Sequence, residues 1–153
     1  MGAVHDISEN TTGFATRVTR DADLSTGRLN VMRVGYAFLG VGLAVVKWPI
    51  LFHDLGSVPV MEGVVACLLA AMSFLAFLGL RYPVTMLPIL LFEVAWKVIW
   101  IGAVAIPHVV AGDMDAGVRE VLVSCSLVVV IIAVVPWRYV WRRYVLTPGD
   151  AWR

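Results

Sequence analysis

A glutamate and a lysine, Glu93 and Lys97, stand at i and i+4 with Trp96 and Trp100 beside them, all inside one long apolar run. That order, acid before base by one helical turn, is the favourable one for an ion pair within a helix. Four such ionisable groups lie in apolar surroundings, because Lys47 and Glu62 occupy the two preceding runs. An intramembrane charge costs roughly 2.5–3.5 kcal/mol, so four uncompensated ones would cost about 10–14 kcal/mol. That is the size of a whole domain's stability. The charges must be paired, hydrated or neutralised.

Two chemistries meet that demand, and separate residues offer a third. The first is structural: a Glu93–Lys97 pair within one helix and a Lys47–Glu62 pair between helices would fix the register of a bundle. Lys47 also has the option of snorkelling to the interface without a partner. The second is a ligand, ion or proton site, in which a carboxylate near the membrane midplane binds a cation or carries a proton. Ser124 and Ser126, on either side of Cys125, are placed to hydrogen-bond the charged groups. The third is metal or haem ligation by His53 and His108, which close the outer ends of two runs near Asp54, Asp113 and Asp115. Membrane haem ligands more usually lie deeper in a span, which disfavours haem. The cysteines, Cys67 and Cys125, stand in separate apolar segments and form no CxxC. No nucleotide loop and no nucleophile–base constellation is present. Catalysis by this chain alone is therefore not expected.

The elements that must position these groups follow from composition. With 60% of its 153 residues hydrophobic, the chain is too apolar for an ordinary soluble domain, and a net charge of +1 gives no reason to expect a nucleic-acid partner. Four apolar runs, about 34–52, 58–80, 84–106 and 118–140, are each near the roughly 20 residues that cross a bilayer as a helix. Period-2 alternation is absent, so strands are not expected. The expected fold is all-α, an integral membrane four-helix bundle, within residues 33–144. A polar N-terminal segment, 1–32, precedes it and a short tail, 145–153, follows. The first run is long enough to be retained as an anchor rather than cleaved as a signal.

Nine of the ten arginines fall on one side of these runs, with only Arg119 on the other. The positive-inside rule then places both termini in the cytoplasm, as expected of an inner-membrane protein. Tyr36, Tyr82, Tyr139 and Tyr144, with Trp137 and Trp141, fall near the same side as an aromatic belt would. By helix rise, Lys47 is roughly 8 Å and Glu62 roughly 6 Å from the outer end, and Lys97 is roughly 14 Å deep. Glu93 lies one turn further in. All four could form one cluster. Gly40 with Ala44, and Ala66 with Ala70 and Ser73, are small residues that let neighbouring helices approach. Pro83 suits a helix start, whereas Pro49, Pro88 and Pro136 lie within apolar runs, where Pro88 would free a carbonyl one turn earlier.

Arg33-Val34-Gly35, followed by Gly40, Gly42 and Lys47, and then Glu62-Gly63 and Leu78-Gly79-Leu80, resemble the pattern of DoxX-like membrane proteins. The resemblance covers about Arg33 to Val140. It implies a small four-helix subunit or accessory of a quinone-linked membrane redox complex, and it supplies no catalytic residue. Two other classes compete with it. One is an ion- or proton-coupled small-molecule transporter, which with four helices would have to self-associate. The other is a purely structural subunit whose Trp96–Trp100 face packs on a larger complex or lines a quinone pocket. The partners expected are lipids, other membrane subunits and a second copy.

Overall fold

A computed structural model describes residues 24–54 and 56–147. Among them every regular element is helical. Four helices are long and apolar enough to cross a membrane: α1 (Thr26–Asp54), α2 (Val60–Arg81), α3 (Leu87–Ala111) and α4 (Ala116–Val134). A short α5 (Trp137–Trp141) follows. The four long helices pack in a ring, α1 on α2, α2 on α3, α3 on α4 and α4 back on α1. The start of α1, the α2–α3 turn and the end of α4 therefore share one end, here called the arginine end.

The helix boundaries depart from the apolar runs for local reasons. Helix α1 begins in polar sequence, where Ser25 accepts the Arg28 backbone N–H at 3.3 Å and caps it. The last part of the polar N-terminal segment is thus helical, while the rest of it lies outside the described residues. Helix α3 begins at Leu87 rather than Val84. Pro88 sits in its first turn, where a missing N–H leaves no bond unmade, so it does not free a carbonyl inside the helix as its place in the apolar run suggests. Pro83 lies in the preceding turn instead of starting the helix.

The third helix also runs past Pro107. A π-helical turn over Ile101–Ala105 takes the Ile106 N–H back to the Ile101 carbonyl, which widens the helix just before the ring. It ends at Gly112, whose φ of 72° is the left-handed cap that glycine adopts without a Cβ penalty. Helix α4 is shorter than its apolar run. Val135 is extended (ψ 128°) and Pro136 turns the chain, so Trp137–Val140 belong to α5.

The packed core lies toward the arginine end. Met32, Tyr36 and Leu39 of α1 meet Ala76 of α2, Leu87, Leu90 and Val94 of α3, and Val128, Ile131 and Val134 of α4. Close approach depends on small residues, since lipid offers apolar groups as good an environment as another helix does. A Cβ on Gly40 would meet the Phe77 ring at 2.9 Å, and one on Gly35 would meet Val134 at 2.6 Å. Tyr36 is a correction to the aromatic-belt expectation. It is fully buried, and its hydroxyl donates to the Pro83 carbonyl at 2.8 Å.

Two arginines act as clasps at this end. Arg33 Nε donates to the Leu80 carbonyl at 3.1 Å and its Nη1 to Asn30 Oδ1 at 2.7 Å. Arg28 Nη2 donates to the Val135 carbonyl at 2.9 Å. Both carbonyls lie at helix C-termini, which lack intrahelical donors. Arg33→Ala is expected to lower stability by about 1.5 kcal/mol, the lower value for a charge-assisted hydrogen bond. Arg33→Lys should recover only part of this, because an ammonium lacks the fork that reaches both acceptors. Unfolding of each variant in nanodiscs checks both expectations.

Candidate functional site

The Glu93–Lys97 face is the polar centre of the bundle. Leu90, Glu93, Val94 and Lys97 form the buried stripe of α3, so the helical period itself turns both charges inward. Glu93 is 1% exposed and Lys97 8% exposed. Lys97 Nζ lies 2.7 Å from Glu93 Oε1. The second carboxylate oxygen, Oε2, accepts the Trp96 indole N–H at 2.8 Å. Both oxygens of the acid are therefore engaged by residues of the next helical turn.

The ammonium has three further features around it. It lies 3.5 Å from the Ser124 carbonyl on α4 and 5.5 Å from the Trp96 ring centroid. Cys125, buried beside Ser124, is within electrostatic range of both Lys97 and Glu93. The α4 ladder is interrupted just beyond, at Leu127, between Ala116–Ser126 and Val128–Val134. Carbonyls in the last turn before such a break lack intrahelical donors, which makes Ser124 O an available acceptor. Among the described residues no buried side-chain nitrogen or oxygen is left without a hydrogen-bond partner.

The remaining candidates stand apart from this pair. Ser124 offers its backbone carbonyl rather than its hydroxyl, and its side chain is exposed. Ser126 is exposed too and donates to the Val123 carbonyl at 2.6 Å. Neither hydroxyl reaches the charges. Trp100 is half-buried and takes no part in these bonds. Lys47 is half-buried on α1, and Glu62 is exposed in the first turn of α2. Among the described residues the ion pairs are Glu93–Lys97 and His108–Asp113, so no bridge joins Lys47 to Glu62. The physical reason is position along the helices. Glu62 sits at the water-facing start of α2, where the helix dipole favours an anion and no lysine is required.

The histidines also separate. His108 Nδ1 lies 3.0 Å from Asp113 Oδ1, a contact that spans the α3 C-cap in the turn before α4. His53 is exposed near the end of α1. Among the described residues no group of three or more His, Cys, Asp or Glu side chains could hold a metal ion.

One polar contact was not foreseen from sequence. Trp48, next to Lys47, donates its indole N–H to Ser73 Oγ at 2.9 Å, and Ser73 in turn donates to the Ala70 carbonyl at 2.7 Å. Its ring stacks on Phe74 with centroids 5.1 Å apart. The only advance sign was Ser73 itself, a polar residue on the small-residue stripe of α2. Against known families, curated proteins and solved structures, the chain matches no family model, no curated protein and no solved structure.

Proposed function

We propose that this chain is a non-catalytic integral subunit of a larger membrane assembly, with both termini in the cytoplasm. The assembly is a quinone-linked redox complex of the kind the DoxX-like resemblance implies. The observation that carries the reading is the engagement of both Glu93 oxygens within one turn of their own helix. A carboxylate so occupied compensates Lys97, whose ammonium in turn reaches the Ser124 carbonyl of α4 at 3.5 Å. A site for exchange would need to give up one of those bonds in every cycle. Away from the arginine end the buried apolar residues are small, among them Gly63, Ala66, Ala105 and Cys125, and the helices present apolar surface outward. The exposed Ser124 and Ser126 suit close contact with a neighbouring membrane helix.

Among the described residues, Trp96 and Trp100 do not offer a quinone site. The Trp96 indole N–H is already given to Glu93, and two surface cavities, of about 590 and about 490 Å³, lie away from Trp96 and Trp100. Any quinone chemistry belongs to the partner.

A second reading, coupled transport by a self-associated form, is favoured by one feature. The Lys97 ammonium has three donors but makes one short bond and one of 3.5 Å, leaving capacity for an anion at mid-span. Proteoliposomes holding the purified chain separate the two. The subunit reading expects no more proton flux than protein-free vesicles show. A flux abolished by Glu93→Gln would establish transport instead.

The orientation has its own test. In a chain with Cys67 and Cys125 replaced by alanine, a membrane-impermeant maleimide added to intact cells should label Ser57→Cys. It should label Thr85→Cys only after permeabilisation. The reverse pattern would place the termini outside.

A further inference from the structure

Helix α4 is the least buried of the four spans. Its inward face is set by Cys125, Val128 and Ile131, all buried. Glu120, Val123, Leu127 and Val130 lie on the opposite face, and all four are exposed. Their spacing of three, four and three residues is that of the seam in a parallel helix pair. Arg119 and Ser126 flank this seam on one side and Ser124 on the other.

Within this chain the polar groups of that face go unserved. Among the described residues, the side chains of Arg119 and Glu120 make no hydrogen bond and no ion pair. The Ser124 hydroxyl is likewise without a partner, although the Ser124 carbonyl receives Lys97. That hydroxyl lies roughly 12 Å into the span by helix rise from Ala116. At such a depth lipid offers no hydrogen-bond acceptor, so a polar group turned outward favours a neighbouring helix.

The charges say which helix it is. Copies of this chain in one membrane share an orientation, so a twofold axis between them runs along the bilayer normal and equal residues meet at equal depth. Arg119 and Glu120 are consecutive, hence at nearly the same depth, and opposite in charge. Across such an axis each Glu120 meets Arg119 of the other copy, and two pairs form from one self-complementary patch. Two glutamates on the seam without those arginines would repel each other.

We infer that α4 packs in parallel on α4 of a second copy along this seam, with reciprocal Arg119–Glu120 pairs away from the arginine end. The dimer lies inside the proposed assembly and rests on that reading for its setting. Two differently tagged full-length chains are coexpressed, extracted with a polymer that retains lipid, and captured by one tag while the other is counted. Wild-type chains are expected to capture each other, and failure to do so overturns the dimer. Arg119→Glu in both copies should lower capture about tenfold, because symmetry removes two pairs at once. Glu120→Arg in both copies should do the same. Arg119→Glu in one copy with Glu120→Arg in the other rebuilds both pairs and should return capture close to wild type, which misfolded variants could not do. Undiminished capture in the single variants overturns the seam. A loss that the mixed pair does not recover gives this face to a different protein and overturns the second copy as its occupant. Absorption of the same samples reports any flavin or haem partner, so the subunit reading stands or falls separately.

Discussion

Glu93→Gln is expected to destabilise the bundle by about 3 kcal/mol, the cost of leaving a lysine uncompensated at mid-membrane. The substitution is close to isosteric, and glutamine keeps an oxygen for the Trp96 indole that Glu93 Oε2 now accepts at 2.8 Å. What it removes is the charge 2.7 Å from Lys97 Nζ. The ammonium then has the Ser124 carbonyl at 3.5 Å as its remaining acceptor. Adding Lys97→Met to the same chain should recover most of the loss, because a neutral pair of similar volume needs no compensation. Denaturant unfolding of wild type, both single variants and the double in one lipid composition gives the coupling directly. Additive losses would mean that the two groups stabilise the bundle independently, contrary to the pair described here.

The second large effect is expected at the α1–α2 contact near the arginine end. Tyr36→Ala should cost about 3–5 kcal/mol, the range for emptying a buried aromatic site. The ring is fully buried, its hydroxyl serves the Pro83 carbonyl at 2.8 Å, and it lies against the bare backbone of Gly79. A Cβ at Gly79 would overlap that ring, so Gly79→Ala should cost about 1–3 kcal/mol by overpacking. The two changes are coupled. With Tyr36→Ala already present, the extra methyl group of Gly79→Ala has room and should be nearly free of cost, a double-mutant signature of direct contact. Tyr36→Phe separates the remaining contribution, about 1 kcal/mol for the lost hydrogen bond. A Gly79→Ala penalty that persists without the ring would place its origin elsewhere.

The residues show where sequence reading reaches and where it stops. Four long apolar runs sufficed for four helices, because length and hydrophobicity are properties of one segment at a time. The i, i+4 spacing of Glu93 and Lys97 was likewise a matter within one helix. Lys47 and Glu62 were different. Their pairing required the relative register of two helices, and depth estimates near 8 and 6 Å could not supply the rotation of either. Tyr36 was misread for the same reason. Its distance along the chain put it near an interface, whereas its helix face and the absent side chain of Gly79 put it in the core. Span ends failed where single prolines decide. Pro107 is bridged by a π turn, Pro88 falls in a first turn, and Pro136 ends a helix, although all three sit in similar apolar contexts. The cavity at the arginine end, lined by Leu24 and Arg28 of one terminus and Pro136 to Tyr139 of the other, was not legible at all, since it depends on α5 leaving the bundle beside α1.

That the chain works as part of an assembly, with its own charges closed on each other, is tested most directly by extracting a tagged full-length chain from its native membrane. A polymer that retains lipid serves for extraction, and the product is analysed for mass and absorption spectrum together. The expected result is coelution with a second membrane protein carrying flavin or haem absorption, unchanged when Glu93→Gln and Lys97→Met are introduced together. A colourless, monodisperse particle whose mass is a simple multiple of 16.7 kDa would contradict it.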